Sequence, residues 1–134
     1  MSRNPIEDLV EIHAKMGLGP IMQAMSNKKL LQFLDFRVLF LYEEVKESKD
    51  SNKAGEVVDA MIDIAYVAFG TLEAFGVDVQ KAWDLVHAKN MLKEPGSNPT
   101  RPNKFGFPDM IKPEGWTPPN HNDNVGLLGK VMEV

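Results

Sequence analysis

Apolar residues recur every three or four positions from Ile6 to Leu92, and the polar and glycine breaks between them divide this part of the chain into four helices. Asn4-Pro5 gives a cap followed by a first-turn proline, and Ile6, Leu9, Val10, Ile12 and Met16 form an apolar face that ends near Gly17. Gly17-Leu18-Gly19-Pro20 breaks that helix, a short turn is expected over 21–25, and Ser26-Asn27 offers the next cap. A second helix is predicted over 28–49, with Leu30, Leu31, Leu34, Val38, Leu41 and Val45 toward the core. Asp50-Ser51-Asn52-Lys53 reads as a loop whose serine or asparagine caps a third helix over 53–75, which Gly76 closes. Asp78 then caps a fourth helix over 79–93.

Beyond Lys93 the pattern stops. Seven of the nine prolines lie between Pro95 and Pro119, and five glycines lie between Gly96 and Gly129. Such a segment is either disordered or an extended strap, and Phe105, Phe107, Ile111 and Trp116 supply apolar anchors for a strap lying on the bundle or on a neighbouring subunit. With no useful run of period-two alternation, the fold class is all-α. The expectation is a four-helix bundle-type core in a single domain over 1–134, with an extended Pro-rich tail over 94–134. The third helix is apolar around nearly its whole circumference, which suits an element packed on several sides and predicts a homo-oligomer, dimer or tetramer.

One feature interrupts that apolar helix. Glu56, Asp59 and Asp63 follow one another at i, i+3 and i+7 and so share a stripe, while Glu43, Glu44 and Glu47 lie just upstream. If the second and third helices form an antiparallel hairpin turning near 50–52, residues facing one another have a constant index sum. Glu47 then faces Glu56, Glu44 faces Asp59 and Phe40 faces Asp63, so carboxylates converge from both helices. Each cluster alone fits a solvated helix face, and acids near a helix N-terminus also complement the macrodipole. Their joint occurrence favours a cation site: like charges repel across the hairpin, and no lysine or arginine stripe stands in register to relieve them. Oxygen-rich and sulfur-free, the set suits Mg²⁺, with Mn²⁺ as a substitute, and Mg²⁺ commonly joins carboxylates to substrate phosphates.

Composition narrows the chemistry further. The absence of cysteine excludes disulfides, zinc-thiolate sites and thiol nucleophiles, and fits a cytoplasmic location. The N-terminal residues lack the apolar run of a signal peptide, and Asp59 and Asp63 break the longest apolar stretch, so no membrane association is expected. A net charge of -4 argues against capture of nucleic-acid polymers. A small anion bound through a metal remains compatible with it.

The motif Glu43-Glu44-x-x-Glu47 followed by Glu56-x-x-Asp59 resembles the signature of the all-α nucleoside triphosphate pyrophosphohydrolases, the MazG-like superfamily. The run Asp59 to Val67, Gly70-Thr71 and the run Val86 to Lys93 are similar to the third and fourth helices of its phosphoribosyl-ATP-pyrophosphohydrolase-like branch, and Lys112 to Pro119 is similar to that branch's tail. The gap between Glu47 and Glu56 is shorter than the superfamily's usual spacing, so an alternative register uses Asp59 and Asp63 as direct ligands in place of Glu56. The resemblance implies Mg²⁺-dependent cleavage between the α and β phosphates of a (deoxy)nucleoside triphosphate, with release of the monophosphate and pyrophosphate. In that reading Glu44, Glu47, Glu56, Asp59 and Asp63 are the metal set, and Glu43 is the general base or the ligand of a further metal.

Four further residues are candidate substrate contacts. Asn90 and Lys93 close the fourth helix, where they would reach phosphates or be oriented by Asp63. His13 lies on the first helix where a nucleobase pocket would form, and Arg37 is placed to meet a carboxylate or a phosphate. Arg101, Lys104 and Lys112 offer charge in the tail, and Trp83 and Trp116 read as core or strap anchors. Three alternatives accompany the main reading. They are selective hydrolysis of one purine deoxynucleotide, such as dGTP to dGMP in phage nucleotide metabolism; hydrolysis of phosphoribosyl-ATP, ranked last because of the aromatic tail; and a non-catalytic helical interaction module whose acidic patch binds a basic partner.

Overall fold

A computed structural model describes residues 4–101 and 103–134. The elements in chain order are α1 (Pro5–Lys15), α2 (Leu18–Gln23), α3 (Asn27–Asp50), α4 (Ala54–Ala74), α5 (Val79–Met91), strands β1 (Glu94–Gly96) and β2 (Asp109–Ile111), and a final 3₁₀ helix, η1 (Gly126–Lys130). The fold is all-α, as the apolar periodicity predicts. Two features escaped that periodicity. Residues 18–23 form a helix of their own, and β1 pairs antiparallel with β2 in a three-residue ladder too short to carry an alternation signal. The chain divides into two compact units, one of residues up to Val79 together with Asn124–Val134, the other Gln80–Asp123.

Local chemistry sets the helix ends of the first unit. Asn4 Oδ1 accepts from Ile6 N at 2.8 Å ahead of the first-turn proline, and Ser26 Oγ accepts from Lys29 N at 3.2 Å. Gly76, at φ 80°, ends α4: its N–H donates to Glu73 O, and Val77 N–H donates to Leu72 O, the pair of bonds that closes a helix through a left-handed residue. The start of α4 departs from expectation. Lys53 occupies the cap position without a side-chain bond, and Ser51 acts from two residues upstream by donating its hydroxyl to Glu56 Oε2 at 2.8 Å.

The core of this unit gathers Met22, Leu30, Ala74, Phe75 and Leu127, with Phe33 against Phe75 at 5.8 Å between ring centres. Leu127 comes from the tail. Its N–H donates to Phe75 O at 2.7 Å, and the Asn124 amide both accepts from Asp78 N and donates to Asp78 O, each at 2.9 Å. Gly126, at φ 54°, permits that approach, since a Cβ there would lie 2.1 Å from Phe75 O. Of the anchors named from sequence, Phe105 and Phe107 are 83% and 71% exposed, whereas Ile111 and Trp116 are half-buried. In the first unit the docking residue is Leu127 of η1, with Leu128 packed beside the core.

In the second unit α5 stops at Met91, two residues early, and Leu92 and Lys93 continue with the tighter i to i−3 bonds before Pro95 ends any helix. Trp116 is half-buried, donates Nε1–H to Lys89 O at 2.9 Å, and is flanked by the ammonium groups of Lys93 and Lys112 at 5.0 and 5.1 Å from its ring. Trp83 is exposed rather than core.

Candidate functional site

Helices α3 and α4 form the expected antiparallel hairpin around the loop at 51–53, and their facing stripes hold more than apolar residues. Along α3 the inward positions are Leu30, Phe33, Leu34, Arg37, Leu41 and Glu44, all buried or half-buried. Along α4 they are Ala60, Asp63, Ile64, Val67, Gly70, Thr71 and Ala74. Arg37, Glu44 and Asp63 thus occupy core-facing positions, where ionisable groups are costly without a partner.

Glu44 is only 8% exposed, and its Oε2 has no hydrogen-bond partner. Burial raises the proton affinity of this carboxyl, the negative charges of Glu47, Asp63 and Asp59 raise it further, and so does a side-chain hydrogen bond that the protonated form donates to Glu47. The four acids are therefore close enough to feel one another across the hairpin. Glu47, Glu56 and Asp59 also line an open cleft of about 630 Å³ with Lys46, Asp50, Ser51, Gly55 and Ala60. Glu56 accepts from Ser51 Oγ in the hairpin loop. Glu43 is exposed, one position and so 100° round α3 from Glu44.

Whether these residues fit a divalent cation is decided by two observations. The donor set is all oxygen, and a buried carboxylate oxygen without a donor faces three like charges, which is the electrostatic condition a cation relieves. Among the described residues no three acidic or imidazole groups already stand as a closed ligand cage. The donor chemistry suits such an ion, while the described positions do not by themselves assemble a ligand set.

A second polar constellation lies two turns away in the same unit. The Arg37 guanidinium donates from Nε to Thr71 Oγ1 at 2.9 Å and from Nη2 to Val67 O at 3.1 Å, between the rings of Phe33 and Phe40 at 6.0 and 5.9 Å. It meets no carboxylate among the described residues, contrary to a plain salt bridge, and burial lowers its pKa from the ordinary value. His13 Nδ1 is bonded to Glu73. Both side chains meet over Gly70, where a Cβ would lie 3.1 Å from Arg37 Nη2 and 3.6 Å from His13 Nε2. The His13–Glu73 pair also borders a cavity of about 260 Å³ walled by Val10, Ala14, Leu18 and Pro20. Gly70, Thr71 and Glu73 were missed as parts of a site. The available signal was Gly70 itself, a glycine inside an apolar helix.

Of the remaining predicted contacts, Asn90 is half-buried near the end of α5, and Lys93 follows that helix over Trp116. Both belong to the second unit.

The all-α hairpin thus carries ionisable groups on its core-facing stripes, with carboxylates from both helices at one end. The chain belongs to the phosphoribosyl-ATP pyrophosphohydrolase family, whose model matches residues 23–90, half of its length and the whole of the α3–α4 hairpin. That family is part of the MazG-like all-α superfamily, so the chain is a pyrophosphohydrolase by class. No curated protein matches it. Among the described residues no helix is long and apolar enough to cross a membrane.

Proposed function

We propose that this protein is a Mg²⁺-dependent nucleotide pyrophosphohydrolase that cleaves between the α and β phosphates of a (deoxy)nucleoside triphosphate and releases the monophosphate and pyrophosphate. The observation that carries the reading is the buried, unpartnered Glu44 oxygen among Glu47, Asp59 and Asp63, in a chain of a pyrophosphohydrolase family. Glu44, Glu47, Asp59 and Asp63 would hold the ion. Glu56, bonded to Ser51, serves the hairpin turn and joins the ligand set only by leaving that bond. When bound, magnesium supplies charge neutralisation for phosphate oxygens and acidifies a coordinated water.

The chain's own residues do the rest. Glu43, exposed beside the cluster and outside the core stripe, would take a proton from the attacking water. Asp63, half-buried one turn deeper than Asp59, holds the inner end of the set. Arg37 and His13 are the proposed substrate contacts beside that set. The protein acts in the cytoplasm as a homo-oligomer, on small nucleotides rather than on nucleic acid or membrane.

Phosphoribosyl-ATP is the second substrate reading, because the matching family carries its name. Both are tested together. Incubation with a panel of ribo- and deoxynucleoside triphosphates and phosphoribosyl-ATP in magnesium, with products resolved by phosphorus NMR, is expected to yield pyrophosphate and a monophosphate from at least one substrate, and nothing in chelator. Orthophosphate as the first product, or no turnover of any member, contradicts the proposal.

A further inference from the structure

The open cleft of about 630 Å³ at the turn of the α3–α4 hairpin is walled by the carboxylates of Glu47, Asp50, Glu56 and Asp59, and the cation that lines it with them is Lys46. Lys46 stands inside the acidic motif, between Glu44 and Glu47, at a position to which the motif gives no role. Its spacing invites pairing on its own helix. Glu43 lies three residues before it and Asp50 four after it, the separations at which helical side chains meet. Yet among the described residues its ammonium makes no ion pair and no hydrogen bond. A positive charge on a flexible four-carbon stem thus lines a strongly acidic cleft with its three donors uncommitted.

We propose that Lys46 is the contact for the β and γ phosphates of a nucleoside triphosphate and holds them as pyrophosphate when they leave. The proposal rests on the hydrolase reading above and names the part of the substrate that the cleft receives. Charge decides what this ammonium meets. In that reading the carboxylates of Glu44, Glu47, Asp59 and Asp63 outweigh one divalent ion, so the loaded site stays negative and repels the outer phosphates. Cleavage adds to the conflict. Attack by water on the α phosphorus breaks its bond to the oxygen bridging α and β, which leaves with the bonding pair as part of pyrophosphate, while the water proton passes to Glu43. A fixed positive charge is needed where that negative charge collects, and along the cleft wall Lys46 is the side chain that supplies it.

Calorimetry with inorganic pyrophosphate in excess magnesium reads the contact without turnover. Lys46→Gln is expected to weaken pyrophosphate binding about tenfold or more, the scale of one lost charge-assisted hydrogen bond. Lys49→Gln removes the same charge from an exposed residue of α3 outside the cleft wall, and should alter binding by less than about twofold. Manganese binding separates a phosphate contact from a support for the acids: followed by electron paramagnetic resonance, it should be no weaker in Lys46→Gln than in the wild type, since the change removes a cation. Undetectable pyrophosphate binding in the wild type overturns the proposal. So does an equal loss in Lys46→Gln and Lys49→Gln, which would assign the attraction to the general field, and so does a parallel loss of manganese in Lys46→Gln. The hydrolase reading fails separately. Lys46-dependent pyrophosphate binding by a protein that turns over no nucleotide supports the contact and refutes the catalysis, and pyrophosphate release with affinity unchanged in Lys46→Gln does the reverse.

Discussion

Glu44 carries an energetic conflict that protonation or a bound cation relieves. A carboxyl whose proton affinity is raised by folding stabilises the folded chain while protonated. That contribution is complete below the ordinary glutamate value of 4.5 and disappears as pH rises through the raised folded value. Above that value the carboxyl, set among its acidic neighbours, opposes folding. Glu44→Gln is therefore expected to raise the melting temperature of metal-free protein at pH 7 and to leave it unchanged below pH 4, as calorimetric scans would read. Magnesium at a hundredfold its wild-type dissociation constant should add about 2.7 kcal/mol to the wild type and much less to the variant. A lower melting temperature for the variant at pH 7 would mean that Glu44 has a stabilising partner. The sequence disclosed this residue through its acidic neighbours, and hairpin geometry then placed it opposite Asp59. What it concealed was burial, because Glu44 lies on the stripe that begins with Leu30, and binary patterning assigns such a position to an apolar residue. Arg37 was hidden for the same reason.

At the scale of elements, the helices were legible because their caps are local: Asn4, Ser26 and Gly76 act within three residues of where they stand. The tail was not, since its docking depends on contacts distant in sequence. Aromatic anchors were the natural expectation, yet Phe105 and Phe107 face solvent, while Leu127 fills the core beside Phe75 and Gly126 admits the backbone. Leu127→Ala is expected to cost about 2–5 kcal/mol in urea denaturation. Phe105→Ala should change stability by no more than about 0.5 kcal/mol. Reversal of that order would mean that the tail is held elsewhere.

Across the whole molecule, the hairpin's outer faces remain apolar. Leu31, Val38, Leu39 and Tyr42 on α3, and Val58, Met61, Ile62 and Tyr66 on α4, are each between 42% and 69% exposed. Residues 58, 62 and 66 form a continuous stripe at i, i+4 and i+8. Exposed apolar area on that scale marks an interaction surface, and a second copy of the chain is its proposed occupant. Ile62→Lys is expected to reduce the sedimentation coefficient to that of a smaller assembly without loss of helical circular dichroism. An unchanged coefficient would remove the oligomer from the account. The most direct test of the central claim, that acids from α3 and α4 hold a shared divalent ion, is a manganese titration followed by electron paramagnetic resonance. The account predicts saturable loss of the free-ion signal in the wild type and markedly weaker binding in both Glu44→Gln and Asp63→Asn, one change on each helix. Wild-type binding no tighter than that of the two variants would contradict it.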